Sequence, residues 1–352
     1  MTNHPLAADL DGVLDRTREL WEELRGNRIF VTGGTGFFGC WLLESFAWAN
    51  YRLALRASAL VLTRHPSRFR QRLPHLADDP AISLHLGDVR DFEFPGGAFT
   101  HVLHAAGDAS AASIGDPLEV FDTIVLGARR VLDFALAAGA RKLLFTSSGA
   151  VYGSQPPDLA CMPETYSGAP NPCDPRSAYG EGKRAAELLC ALYHGRHGLE
   201  PKIVRCFAFI GPYMPFDGPF AVGNFIRDVL ERRPIAVLGD GTPIRSYMYT
   251  ADLAVWLWTI LFRGAPCCPY NVGSEDPLSI AQAASAVATG LGSLPAPAIS
   301  ADPIPGRAPL RYVPSTARAR SDLSLSVVHS LASAAIKTAE WARVTNPGDH
   351  RS

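Results

Sequence analysis

Residues 28–39 read RIFVTGGTGFFG, and the reading of this stretch decides the fold. The apolar run Ile29, Phe30, Val31 meets a glycine cluster, Gly33, Gly34, Gly36 and Gly39, and the helix-compatible stretch Trp41 to Phe46 follows. Strand, glycine turn and helix come in the order that a dinucleotide site requires. Gly33 permits a sharp turn out of the strand, Gly36 a close approach of backbone to a pyrophosphate, and Gly39 close packing of helix on sheet. The helix N-terminus adds unpaired N–H groups and a positive dipole end. The spacing is GxxGxxG rather than GxGxxG.

Outward from this turn, short continuous apolar runs alternate with helical patterns. The strand candidates are Ala59–Thr63, Ile82–Leu86, His101–His104, Lys142–Thr146 and Lys202–Cys206, and the clearest helical pattern is Val120–Ala138. Continuous apolar strands separated by helices predict a parallel sheet covered on both faces, an α/β fold of the doubly wound Rossmann type. From Gly211 the texture turns to proline, glycine and aromatic residues, which predicts a smaller C-terminal lobe closing over the strand ends and binding substrate. Ahead of the first strand, Leu10, Val13, Leu14, Trp21 and Leu24 recur at helical spacing. The expected organisation is a helical extension over 1–27 packing on the main domain, a mainly nucleotide-binding domain over 28–205, a mainly substrate-binding lobe with returning segments over 206–345, and a frayed tail over 346–352.

The 352 residues suffice for a sizeable core. With 33 basic and 34 acidic residues, no global basic field argues for nucleic acid or an anionic membrane. The seven cysteines are scattered and form no CxxC pair, so neither zinc nor a disulfide framework is expected. The first residues lack the pattern of a signal peptide, and the longest greasy stretch, Leu253–Phe262, is too short to span a bilayer. A cytoplasmic protein without a metal site is the expectation.

Three stretches carry chemistry together. Phe145-Thr146-Ser147-Ser148-Gly149 ends a strand and delivers hydroxyls to the sheet edge, and Tyr179 and Lys183 follow at i, i+4 on one helix face. A free tyrosine titrates near about 10. A neighbouring ammonium and a nicotinamide cation both favour the phenolate, so Tyr179 is suited to exchange a proton with a sugar hydroxyl or ketone. Ser148 would bind the same oxygen, and Lys183 the nicotinamide ribose.

With these pieces in this order, the chain resembles the extended short-chain dehydrogenases/reductases of the NAD-dependent epimerase/dehydratase family, which act on nucleotide sugars. The matching motifs are TGGTGFFG, Gly87-Asp88-Val89, His104-Ala105-Ala106, Ser147 to Gly153, Tyr179xxxLys183, Arg205 to Pro212, Gly239-Asp240-Gly241 with Arg245 and Asp252, and Tyr270 to Gly273. The resemblance implies a catalytic set of Ser148, Tyr179 and Lys183. It implies a cofactor groove formed by Gly33, Thr35, Gly36, Phe37, Phe38, Gly39, Thr63, Arg64, Asp88, Val89, Ala105, Ala106, Tyr179 and Lys183. It also implies substrate contacts from Ser148, Asn224 and Arg245, with a guanidinium as the natural partner of a diphosphate. The implied partners are a nucleotide-diphosphate sugar and a second copy of the chain.

The departures bear on the reaction. Dehydratases of the family carry an acidic pair after the catalytic hydroxyl and uronate decarboxylases keep a glutamate there, whereas this chain has Gly149 and Ala150. Ile124 and Ala208 replace two customary asparagines. The second strand ends in Thr63-Arg64-His65 instead of an acidic residue, so Arg64 and Arg68 suit a 2′-phosphate and leave NADP open beside NAD. The expected activity is a 4-epimerase working through a transient 4-keto sugar. The alternatives are an NADPH-dependent 4-ketosugar reductase, then a 4,6-dehydratase or uronate decarboxylase, and, from another class, a non-catalytic nucleotide sensor.

Overall fold

Leucine and β-branched residues in runs of three to seven, bounded by glycines and polar turns, pair into one parallel sheet. In the computed structural model, which describes residues 4–107, 115–293 and 296–345, its strands are β1 (Arg28–Thr32), β2 (Ser58–Thr63), β3 (Ile82–Leu86), β4 (His101–His104), β5 (Lys142–Ser148), β6 (Glu200–Cys206) and β7 (Tyr270–Val272). Their order is β7-β6-β5-β4-β1-β2-β3. The tail expected to fray, 346–352, lies outside the described residues.

Alternation on each strand serves two cores. Ile29 and Val31 of β1 and Leu144 of β5 enter one, while Phe30, Leu143 and Phe145 enter the other. The first is covered by α1 (Ala7–Thr17), α2 (Phe37–Arg52) and, further along the chain, the buried helix Thr250–Arg263. The second is covered by α3 (Pro117–Ala137) and α4 (Ala178–His197), with Phe30, Phe92, Phe99 and Phe134 stacked beneath them. Both faces are thus apolar and covered, as parallel sheets require. The chain reverses direction across the sheet between β1 and β4, and ligands bind α/β sheets outside the strand ends at such a point.

After β6 come short pairings rather than long strands. Ile244–Arg245 runs between Leu278–Ser279 and Arg311–Tyr312, Phe209–Ile210 pairs with Met248–Tyr249, and Ala236–Val237 pairs with Ala298–Ile299. With α5 (Thr250–Arg263) as the buried helix named above, the last long element is α6 (Leu331–Thr345).

The N-terminal stretch is one helix by its periodicity, but the structure breaks it at Thr17, where α1 passes into a 3-10 turn, Arg18–Leu24. The Thr17 hydroxyl donates to the Val13 carbonyl at 2.6 Å and accepts from the Trp21 indole at 2.9 Å, which tightens the winding there. Leu10, Val13, Leu14, Trp21 and Leu24 are all buried. Asp9 accepts from the Tyr249 hydroxyl and from Lys337, each at 2.7 Å. Arg16 reaches the Asp252 carboxylate at 2.5 Å and the Ser326 carbonyl at 2.7 Å. The fully buried Asp252 also accepts from the Val328 and His329 amides and pairs with the His329 ring. No helix among the described residues is long and apolar enough to cross a membrane.

Candidate active site

The glycine turn is built by close approach. Gly33 has φ +69°, and a Cβ there would stand 2.3 Å from the Ala105 carbonyl oxygen; at Gly39 it would stand 2.1 Å from the Gly33 oxygen. Only glycines allow β1, the loop after β4 and the start of α2 to meet. Beside this turn opens a cleft of about 2050 Å³. Gly33, Thr35, Gly36, Phe37 and Phe38 line it at the turn, and Thr63 and Arg64 line it after β2. Asp88 and Val89 form its wall after β3, and Ala105 and Ala106 form it after β4. Gly39 is buried behind the turn and supports it without lining the cleft. This bare glycine cradle at a helix N-terminus fits the pyrophosphate of a dinucleotide.

At the cleft's other side, β5 ends on Ser148 and the first turn of α4 presents Tyr179, both lining the cleft with Lys183. The Ser148 hydroxyl accepts the Ala150 amide at 3.1 Å. Lys183 is buried; its Nζ donates to the Thr146 carbonyl at 2.7 Å and lies 5.8 Å from the Tyr179 ring centroid. Burial pushes its pKa down to about 8. The structure therefore brings the three candidate catalytic residues to one place.

That buried ammonium has a cost with a definite sign. An unfolded lysine titrates near about 10.4, so between the folded and unfolded values the unfolded chain binds more protons and stability rises with pH. Below about 8 the full cost of burying the charge is present. Lys183→Met in the nucleotide-free protein is expected to raise the urea midpoint at pH 7, by at most roughly 3 kcal/mol in stability, with the difference shrinking toward pH 10. A lower midpoint at pH 7 would mean that the Thr146 contact outweighs the desolvation.

Gly149 has a steric reason. A Cβ there would meet the Tyr312 hydroxyl at 2.7 Å and Phe207 Cζ at 2.8 Å, so the position has no room for the acidic side chain of the dehydratases. Tyr312 lines the cleft, its hydroxyl donates to the Cys206 carbonyl at 3.4 Å, and burial pushes that hydroxyl's pKa up to about 12. Sequence reasoning missed Tyr312, because Arg311-Tyr312 follows a proline-rich stretch with no periodic signal, and gave no role to Phe207 within the motif Arg205 to Pro212. Arg245 lines the cleft, its guanidinium 5.8 Å from the Tyr312 ring centroid. Asn224 is not among the described lining residues; its amide donates to the Gly218 carbonyl at 3.2 Å and fastens the preceding loop.

Arg64 and Arg68 line the cleft where a 2′-phosphate was expected as one option. Arg64 lies 3.9 Å from the Asp88 carboxylate, which also takes a bidentate contact from Arg90. The Arg90 hydrogen bond holds the Asp88 carboxyl below its usual range. Asp88 is thus already neutralised by Arg90, and Arg64 and Arg68 stand beside it as cations on the cleft wall.

Other motif residues turn out to be structural. Arg205 pairs with Glu187 at 2.7 Å and donates to the Tyr152 hydroxyl at 2.9 Å, and that hydroxyl donates to Asn271 at 2.8 Å. Asn271, fully buried, donates to the Met162 and Ser315 carbonyls. This network ties β5, β6 and β7 together behind the cleft.

Comparison with known proteins follows the same lines. UDP-glucuronic acid decarboxylase 1 of Arabidopsis thaliana is 33% identical over 261 residues, covering 74% of this chain and 57% of that protein. UDP-glucuronic acid decarboxylase 6 of the same plant is 32% identical, covering 74% and 73%. The chain thus spans little more than half of the first relative. Among solved structures, the dTDP-glucose 4,6-dehydratase of Streptomyces venezuelae, with NAD and TYD bound, superposes with TM-score 0.77 at 26% identity over 91% of this chain and 98% of that one. A UDP-glucose 4-epimerase of Thermotoga maritima shares the fold at TM-score 0.74 and 21% identity, over 90% of this chain and 99% of that one. A model of the NAD dependent epimerase/dehydratase family matches residues 29–273. The glycine turn, the sheet order and this match agree: the chain belongs to the NAD-dependent epimerase/dehydratase family of enzymes.

Proposed function

We propose that this enzyme decarboxylates a nucleotide-linked uronic acid through a 4-keto intermediate. The convergence of Ser148, Tyr179 and Lys183 on a cleft that also presents Arg245 carries the reading. The curated decarboxylase relatives support this choice among the reactions that share such a triad.

The absence of an acid at Gly149 and Ala150 counts against decarboxylation in the sequence, and the chemistry answers it. Water loss needs a proton on the departing hydroxide, so a dehydratase needs an acid there. Once C4 is a ketone, a C5 carboxylate is a β-keto acid. Its C5–C6 bond breaks with the electron pair moving to the C4 oxygen, and CO2 leaves without a proton donor. NAD held in the glycine cradle would supply the hydride-transfer chemistry that makes C4 a ketone and reduces it again. Tyr179 takes the C4 hydroxyl proton at the start and gives it back at the end. Ser148, held by the Ala150 amide and beside the Tyr312 hydroxyl, donates to the C4 oxygen as it gains charge. Water supplies the proton that C5 takes up. Lys183 keeps a cation beside the phenolate, and Arg245 holds the substrate diphosphate.

A 4-epimerase is the second reading, favoured by the small residues Gly149 and Ala150. UDP-glucuronate separates the two without added cofactor. Release of CO2 with a nucleotide pentose supports the decarboxylase, recovery of the 4-epimer supports the epimerase, and neither product removes the uronate as substrate. Pairing of two copies through α3 and α4 is supported by the exposed Leu118, Leu126, Leu188 and Leu192 on these helices.

A further inference from the structure

His4, Glu44 and His75 are far apart in the chain and form no metal-binding motif, yet the fold brings them to one point. His75 Nε2 lies 2.8 Å from Glu44 Oε1 and His4 Nε2 3.2 Å from Glu44 Oε2. One ligand atom from each residue can be chosen so that all three lie within 4.8 Å of one another. With metal–ligand bonds of about 2.0–2.1 Å, neighbouring donors of a zinc tetrahedron stand about 3.4 Å apart. The two imidazole nitrogens already stand 2.8 and 3.2 Å from the Glu44 oxygens, close to that spacing. We propose that His4, Glu44 and His75 bind a divalent first-row transition-metal ion, with Zn²⁺ the fitting choice for two imidazoles and one carboxylate.

The surroundings resemble a ligand shell. Glu44 sits on α2 with 3% of its side chain exposed. Its carboxylate faces both rings, so a bound cation would take the place of their ring protons as its counter-charge. The Tyr213 hydroxyl donates to Glu44 Oε1, the outer contact that fixes a ligating carboxylate. The two rings meet edge to face at 5.3 Å, and His4 also packs on Trp48. Cys40 lies outside the clustered donors, its sulfur taking the Arg72 guanidinium at 3.3 Å. His4 Nδ1 accepts the Leu6 amide at 3.2 Å, so its ring proton sits on Nε2. Coordination moves that proton to Nδ1 and gives up this one contact. His4 and His75 line the large cleft, so a fourth coordination position faces it, open to water.

The three donors come from the N-terminal segment, from α2 and from the short helix Pro74–Ala77. Beside them Arg72 donates to the Thr35 carbonyl at 2.9 Å, inside the glycine turn. A bound ion would fasten the N-terminal segment and residues 66–77 against the back of the cofactor cradle, independently of the reaction catalysed.

The test uses the untagged full chain, stripped with chelator and titrated with Zn²⁺ against a chromophoric competitor. One equivalent bound with micromolar or tighter Kd is expected, with a rise in Tm. His75→Ala, on a half-exposed residue, should weaken binding at least 10-fold without unfolding the protein, and Glu44→Gln should weaken it further. Absence of binding at 100 µM Zn²⁺, or equal affinity in His75→Ala, overturns the proposal.

Discussion

Tyr179→Phe is expected to lower kcat by about 10²–10⁴-fold, the range over which a positioned acid–base group acts. Nucleotide binding should stay within about twofold, because the change removes one oxygen and keeps the ring. That ring stands 5.8 Å from Lys183 Nζ and packs against the core between α3 and α4, contacts that phenylalanine preserves. The lesion should therefore lie in chemistry rather than in folding or affinity. Single-turnover oxidation of the bound sugar nucleotide, read beside the dissociation constant for NAD, separates the two. Turnover near wild type would pass the proton-carrying role to another hydroxyl at the site. Tyr312, beside Ser148, would be the first to test.

Asp252→Ala is expected to destabilise the fold by about 3–5 kcal/mol, the cost of removing one partner from a buried ion pair. Its carboxylate holds Arg16 at 2.5 Å, the His329 ring at 3.0 Å and two backbone amides, so four donors lose their acceptor together. Arg16→Ala should cost less, since that side chain is partly exposed and the carboxylate keeps three donors. The double variant should fall short of the sum, because both changes break one network. Acid should reproduce the effect. Burial raises the Asp252 pKa, but His329 and Arg16 more than offset it and hold it below the usual value. Its contribution is thus complete above the unfolded value of about 3.9 and is lost as pH falls through the lower folded one. Urea midpoints of wild type and Asp252→Ala should approach each other below pH 4. A constant gap down to pH 3 would place the stability elsewhere.

What the sequence made legible is what repeats locally. Six of the seven strands of the sheet announce themselves as short apolar runs, while β7, three residues long, does not, and the glycine turn between β1 and α2 has one physical use. Tyr179 and Lys183 were readable because helical spacing alone puts them on one face. Tyr312 was not, since it reaches Gly149 from a distant segment through a two-residue strand pairing without periodicity, and Phe207, just after β6, meets Gly149 only once β6 pairs with β5. Their crowding of Gly149 explains a departure that the sequence displays without a cause. Asn224 shows the opposite limit: a motif position suggested a substrate contact, and the fold spends its amide on a loop carbonyl. Arg205, Tyr152 and Asn271 sit in recognisable motifs for a reason of packing rather than catalysis.

The seating of α1 also governs how the chain comes into being. Leu10, Val13, Leu14 and Trp21 are synthesised long before the helix they pack on, which begins at Thr250, and the anchors Ser326 and Lys337 come later still. At about 5–20 residues per second, this apolar face waits roughly 10–60 s on the ribosome for its partner. Throughout that interval the nascent protein carries a greasy helix that α2 alone can cover only in part, a natural handle for a chaperone and a hazard for aggregation when synthesis outruns assistance.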